Sequence, residues 1–261
     1  MYSYNILKAC YKTTERSFIN MKEKIYTIPI NEAIEQDSEC PFCLIAKRLE
    51  EEAVDYTLGA AMMEPDYRIL CNAKGFCNHH SSMLFKKPNK LSLALVLDTR
   101  LESLRKQFAD AEKFLTSTKS KHGFLRRSVK STSFPETPVS TCVICEKTNN
   151  TIERYAEVFF YMWKNDNTFR DKVINSKGFC IPHFYYLAKA TEKHLKNPSD
   201  FILPMYEKQK SELDRIQEEI HRFTLKFDYR NKDMEWGNAK DAPVRTIEKL
   251  IGYIEKEETT K

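Results

Sequence analysis

Glycine is scarce here, at 6 of 261 residues. Tight hairpin turns draw on glycine for backbone conformations that other residues avoid, so this chain is poorly suited to an all-β fold and favours helices. No apolar run approaches the 18 or so residues of a membrane-spanning helix. Residues 1–20 lack the apolar stretch of a signal peptide and stay polar and mixed up to a second methionine, Met21. They read as a disordered N-terminal extension. Without an export signal the expected location is the cytoplasm. In that reducing compartment the eight cysteines suit metal binding or thiol chemistry better than a disulfide framework. A concentration of one charge sign is missing too. The formal charge is only +5, with Lys and Arg spread among Asp and Glu, whereas a dedicated nucleic-acid binder gathers its positive charge. There is no P-loop, no G-x-G-x-x-G, no H-E-x-x-H and no nucleophile elbow, which leans against an enzyme.

What is present is a repeated cysteine–histidine pattern. Cys40-Pro-Phe-Cys43 is followed by Gly75-Phe76-Cys77-Asn78-His79-His80, and Cys142-Val-Ile-Cys145 by Gly178-Phe179-Cys180-Ile181-Pro182-His183. Both copies read C-x2-C, a gap, then G-F-C-x2-H, with 33 residues in the first gap and 34 in the second. The pattern implies an internal duplication. In the second copy Pro182 fills the place of His79, so the matching histidines are His80 and His183. Three cysteines and one histidine are a common structural set for tetrahedral zinc. A C-x2-C pair at a helix start gains thiolate character from the free backbone N–H groups and the helix dipole. The expected sites are Cys40, Cys43, Cys77 and His80 in the first copy, and Cys142, Cys145, Cys180 and His183 in the second. Two zinc ions are the expected cofactors. Iron or an iron–sulfur cluster is less favoured because histidine ligation is unusual there. A redox dithiol is open as well, but the βαβ pattern that goes with one is missing. Cys71 reads as a core thiol and Cys10 as part of the extension.

The segments between the motifs are helical in character. Arg48–Met63 has one Gly and no Pro, and Ile152, Tyr155, Phe159 and Met162 recur at 3-4-3 spacing. Pro65-Asp66 and Asp166-Asn167 mark the starts of short second helices, and Gly75 and Gly178 their ends. Longer helices follow. One carries Ala94, Leu97, Leu101, Leu104 and Phe108, the other Leu213, Ile216, Ile220, Phe223 and Phe227, both at 3-4-3-4 spacing suited to packing against a further helix.

The expected fold is all-α, with helix-bundle-like packing, at most a short extended piece at Ile25–Ile30, and duplicated units each clipped by its own Cys3His zinc. The organisation that follows is an extension over 1–20, a first repeat over 21–115, a flexible basic linker over 116–140, a second repeat over 141–227, and a C-terminal segment with a last helix, Thr246–Ile254, over 228–261. Arg126-Arg127-Ser128 in the linker reads as a solvated loop, with an anion-binding spot as the sharper alternative.

The residues resemble a bacterial family, mostly from Firmicutes, known as domain of unknown function 6062. The likeness rests on Met21-Lys-Glu-Lys-Ile-Tyr-Thr-Ile-Pro-Ile, Cys40 through Ala94, Cys142 through His183, and Lys226-Phe-Asp-Tyr-Arg with Trp236-Gly-Asn. It implies the doubled cysteine–histidine unit and no activity. Asp228, Arg230, Trp236 and Arg245 form a candidate ligand-binding group, since paired arginines suit a carboxylate or phosphate. The plainer reading is a tail that packs Trp236 on the bundle. The leading function is therefore a non-enzymatic binding, adaptor or regulatory protein with structural zinc, whose partner is an unknown protein or a small anionic ligand. A thiol- or metal-dependent enzyme using a C-x2-C pair is the alternative, and nucleic-acid binding through the basic linker a further one.

Overall fold

The structure, a computed structural model, describes residues 26–119 and 141–254. The extension over 1–20, most of the linker over 116–140 and the end of the C-terminal segment lie outside the described residues. Every regular element among those described is helical, with no strand. In order they are α1 (26–35), α2 (Pro41–Leu58), a 3-10 turn (Ala60–Met63), α3 (Pro65–Lys74), α4 (Asn78–Lys86), α5 (Lys90–Lys119), α6 (Val143–Asn165), α7 (Asn167–Asn175), α8 (Ile181–His194), α9 (Ser199–Leu225), two 3-10 turns (Tyr229–Asn231 and Gly237–Ala239) and α10 (Ala242–Ile251). No helix among the described residues is long and apolar enough to cross a membrane.

Local chemistry explains most of the boundaries. Pro65 opens α3 from its first turn, where its missing N–H costs nothing. Asp166 caps α7 by accepting from the backbone N–H of Phe169 at 3.0 Å. Gly75 ends α3 with φ of 70°, a conformation costly for any residue with a Cβ. Gly178 shares that conformation at 71°, but α7 has already ended at Ser176, so it shapes the following loop rather than the helix end. The last helix starts earlier than its sequence suggested, with Pro243 in the first turn of α10, and stops at Gly252, φ 99°. Of the extended piece expected at Ile25–Ile30, Ile25 lies outside the described residues and 26–30 are instead the start of α1. Its buried residues Ile30, Ala33 and Ile34 follow helical spacing, which shows only when the window runs past Ile30.

The chain divides into two compact units, one comprising residues up to Arg48 and from Thr151 onward, the other Leu49–Asn150. These units do not coincide with the repeats 21–115 and 141–227. The reason is that the later half of the chain closes around α1 and the start of α2. Tyr26 packs edge-on against Tyr155, and Phe42 against Phe159 and Phe179. The first unit therefore holds an aromatic core in which Phe159 also meets Phe160, Phe169 and Phe201 edge-on. The predicted stripe of Ile152, Tyr155, Phe159 and Met162 is buried there. The Leu49–Asn150 unit has a smaller, mostly aliphatic core of Ala53, Val54, Leu58, Cys71, Leu84, Val96, Val143 and Ile144. Cys71 is a core thiol, and burial pushes its pKa up to about 11.

The two long-helix stripes fare differently. On α9, Ile216 is buried and Phe223 packs against Trp236, while Phe227, just past the end of the helix, is exposed. On α5 the stripe faces outward. Leu97, Leu101 and Phe108 are 43%, 59% and 71% exposed, while Ser92, Val96 and Arg100 face inward.

Candidate metal centres

Both quartets of ligand atoms exist, but their membership is crossed. Cys40 and Cys43 meet Cys180 and His183, and Cys77 and His80 meet Cys142 and Cys145. The expected sets are thus corrected: each C-x2-C clusters with the C-x2-H that the sequence motif had assigned to the other C-x2-C. The reason lies on α2: Glu50, whose carboxylate is 3.6 Å from His80 Nε2, stands ten residues along that helix from Cys40, about 15 Å.

In the first centre, the Sγ atoms of Cys40, Cys43 and Cys180 lie 3.4, 3.3 and 3.2 Å from His183 Nδ1, and Cys43 Sγ lies 3.5 Å from Cys180 Sγ. In the second, Cys77, Cys142 and Cys145 lie 3.2, 3.4 and 3.3 Å from His80 Nδ1, and Cys77 Sγ lies 3.7 Å from Cys145 Sγ. A tetrahedral zinc, with sulfur at about 2.3 Å and nitrogen at about 2.0–2.1 Å, gives S···S edges of about 3.8 Å and S···N edges of about 3.6 Å. The observed edges are a few tenths of an ångström shorter. They are far too long for disulfides, whose S–S bond is about 2.05 Å. They surround space for one ion and leave no room for a cluster of several irons. His80, not His79, faces the sulfurs.

The electrostatics of each centre suit a cation. Burial works against ionising Cys142, but hydrogen bonds from His80 and from the backbone near Cys145 and Cys77 outweigh it and bring the thiol down to about 6. Burial and the neighbouring Cys142 charge then push Cys145 up to about 12. The same conflict holds in the first centre. Contacts with Cys180, Cys43 and His183 overcome burial to lower Cys40, while Cys180 and Cys40 drive Cys43 upward. His80 and His183 are raised to about 10, since the surrounding thiolates outweigh their burial. Three crowded sulfurs cannot all ionise beside one imidazole, but they can around a divalent ion, which takes thiolates and neutral imidazole.

Helix starts position the ligands. Cys77 caps α4, its sulfur accepting from the His80 N–H at 3.5 Å, and Cys180 occupies the same position before α8. The loops that carry the ligands are held by side chains no motif marked. Lys249 of α10 is fully buried, and its ammonium donates to the carbonyls of Lys177 at 2.6 Å, Glu39 at 3.1 Å and Phe179 at 3.5 Å. It thereby ties the residue before Cys40 to the loop before Cys180. Its charge is met by the Glu39 carboxylate at 3.3 Å, whose two oxygens also accept from one Arg215 nitrogen, Nη2, at 2.9 and 2.7 Å. Gln209 brackets Phe179, accepting from its N–H at 3.3 Å and donating to its carbonyl at 2.7 Å. At the second centre Thr141 donates to the Lys74 carbonyl at 2.9 Å and the Val143 N–H to the Gly75 carbonyl at 3.1 Å. Arg100 caps the end of α3 through the carbonyls of Asn72 and Ala73.

Glu50 stands behind the second centre. Its carboxylate lies 3.6 Å from His80 Nε2, a buried atom without a hydrogen-bond partner, and 3.5 Å from His79 Nε2. At that separation it acts as a charge partner, which tightens to a hydrogen bond with a small movement. Burial opposes the Glu50 charge, and the two imidazoles outweigh it and hold its carboxyl below the usual range. A carboxylate behind a ligating imidazole orients the ring and raises its basicity. Glu50→Gln is therefore expected to weaken metal binding at the second centre by about 10–100-fold. Competition titration against a chromophoric chelator measures this, with the first centre in the same molecule as the internal reference.

The C-terminal candidates do not converge on one pocket. Asp228 and Arg230 pair with each other, Oδ2 to Nη2 at 2.5 Å, on an exposed turn. Arg245 is committed to Glu219, to the Asn238 carbonyl and, at 2.9 Å, to Asp241. Trp236 lies on Phe223 with ring centroids 5.6 Å apart.

An all-helical protein with two Cys3His clusters, each able to hold a metal ion, is the class that fold and geometry define. Residues 21–257 match the family of unknown function DUF6062, and the chain belongs to that family. Comparisons with curated proteins and with solved structures gave no match.

Proposed function

We propose that this chain is a zinc-stapled, internally duplicated helical protein that works as a non-enzymatic binding or adaptor protein, with two structural zinc ions. In this reading each ion joins the C-x2-C of one repeat to the C-x2-H of the other. The observation that carries it is the pair of four-cornered clusters, every corner a protein atom, with edges that suit one small ion. A zinc held by four protein ligands has no open position for water or substrate, and such closed sites are structural. The chemistry of zinc there is charge neutralisation of thiolates rather than activation of a bound molecule.

Protein purified without added metal should contain two zinc ions per chain by elemental analysis. In that loaded state its six ligand thiols should resist alkylation until a chelator is added. Iron in place of zinc would overturn the choice of metal. Rapid alkylation of a C-x2-C pair in the fully loaded protein would overturn the closed-site reading and favour a thiol-dependent enzyme.

A further inference from the structure

The outward face of α5 is the face that its sequence builds for another helix. Ala94, Leu97, Leu101 and Phe108 are exposed and Leu104 half-buried, although their spacing is that of the a and d positions of a coiled coil. Every residue from Arg105 to Asp110 is exposed, so this part of the helix stands clear on all sides. The corresponding stripe on α9 is covered in part by Trp236 and its neighbours, and no described element does the same for α5. An uncovered helix of this length gains little from propensity alone, and burial of an apolar stripe is the usual source of its stability.

We propose that α5 is a homodimer interface, lying antiparallel against α5 of a second copy about a twofold axis. Three features select this occupant and this direction. The stripe is self-complementary: an antiparallel pair sets Leu101 against Leu104 of the second copy, Leu97 against Phe108, and small Ala94 against small Ala111. The flanking charges agree, since Asp98 faces Arg105 of the other copy, and the twofold makes that pair twice. The third feature is a pocket of about 410 Å³ at the start of the stripe, lined by Phe76, Leu84, Phe85, Leu93 and Leu97 among others. Only the antiparallel arrangement brings the exposed Phe108 ring of the second copy over the Leu97 edge of that pocket. The ring is the knob and the pocket the hole.

Sedimentation equilibrium of the full, metal-loaded chain tests this. The wild-type chain is expected to be a dimer at micromolar concentration. Leu101→Lys, which charges the central layer twice, should give a monomer with unchanged metal content. Asp98→Arg and Arg105→Asp should each weaken the dimer roughly tenfold, because the twofold doubles each new repulsion. The double variant should restore it. A monomeric wild type would overturn the proposal and leave the stripe to a different protein. A dimer that survives Leu101→Lys, or charge swaps without rescue, would overturn the interface and its direction respectively.

Discussion

Stripping the metal from the folded chain is expected to melt α3, α4 and α5 while the aromatic core around Phe159 keeps much of its packing. A structural zinc contributes on the order of 10–16 kcal/mol of apparent binding free energy. A whole domain is stable by only about 5–15 kcal/mol. The Leu49–Asn150 unit has little to set against that loss. Its buried centre is aliphatic and contains one of the ligands, Cys142. Two of its helices, α3 and α4, have 10 and 9 residues, too short to persist without tertiary contacts. The other unit buries Phe42, Phe159, Phe160, Trp163, Phe169, Phe179 and Phe201 almost completely. Aromatic side chains of this kind bury about 150–250 Å² each. At about 25 cal/mol per Å², each is worth roughly 4–6 kcal/mol before entropy is counted. Chelation followed by far-UV circular dichroism should therefore show a large but partial loss of helix. Fluorescence from the buried Trp163 should stay blue-shifted until denaturant is added. Full retention of helix in protein shown to be metal-free would mean that the ions staple nothing. Complete collapse of both signals would mean that the aromatic core does not stand without its own ion.

Much of this arrangement was legible in the residues. Scarce glycine and the 3-4-3 stripes pointed to helices, and the eight residues of the two clusters could be picked out by matching the repeated motifs. Matching also separated His80 from His79. The choice of partners was not legible, because two identical donor sets satisfy zinc equally well whether they are used within a copy or across copies. What decides is that His80 meets α2 at Glu50 rather than at its start, a tertiary contact that a sequence pattern does not carry. The α5 stripe makes a related point. Periodicity tells which face of a helix wants cover, and says nothing of whether the cover belongs to the same chain. Lys249 was invisible for a third reason. A buried lysine looks like any surface lysine until three carbonyls and a carboxylate are seen to surround it.

Crossed ligation has a consequence that can be counted in ions. Loss of one ligand from a closed four-coordinate site lowers its affinity steeply, so His80→Ala should leave one zinc per chain after dialysis against a weak chelator. Adding Cys142→Ser removes a second ligand from the same quartet, so the double variant should still retain one. Adding Cys40→Ser to His80→Ala instead strikes the other quartet, and the content should fall to none. Pairing within each copy gives the opposite result: Cys40 and His80 would share an ion, leaving one zinc, while His80 and Cys142 would hold different ions, leaving none. The stability of the variants should follow the same grouping. Two substitutions in one quartet should cost little more than one, because the first has already released the ion. Substitutions in separate quartets should come close to adding, as distant sites do. Where the second unit no longer folds, an ion bound by Cys40, Cys43, Cys180 and His183 would still be countable, because each of those four residues lies in the unit with the aromatic core.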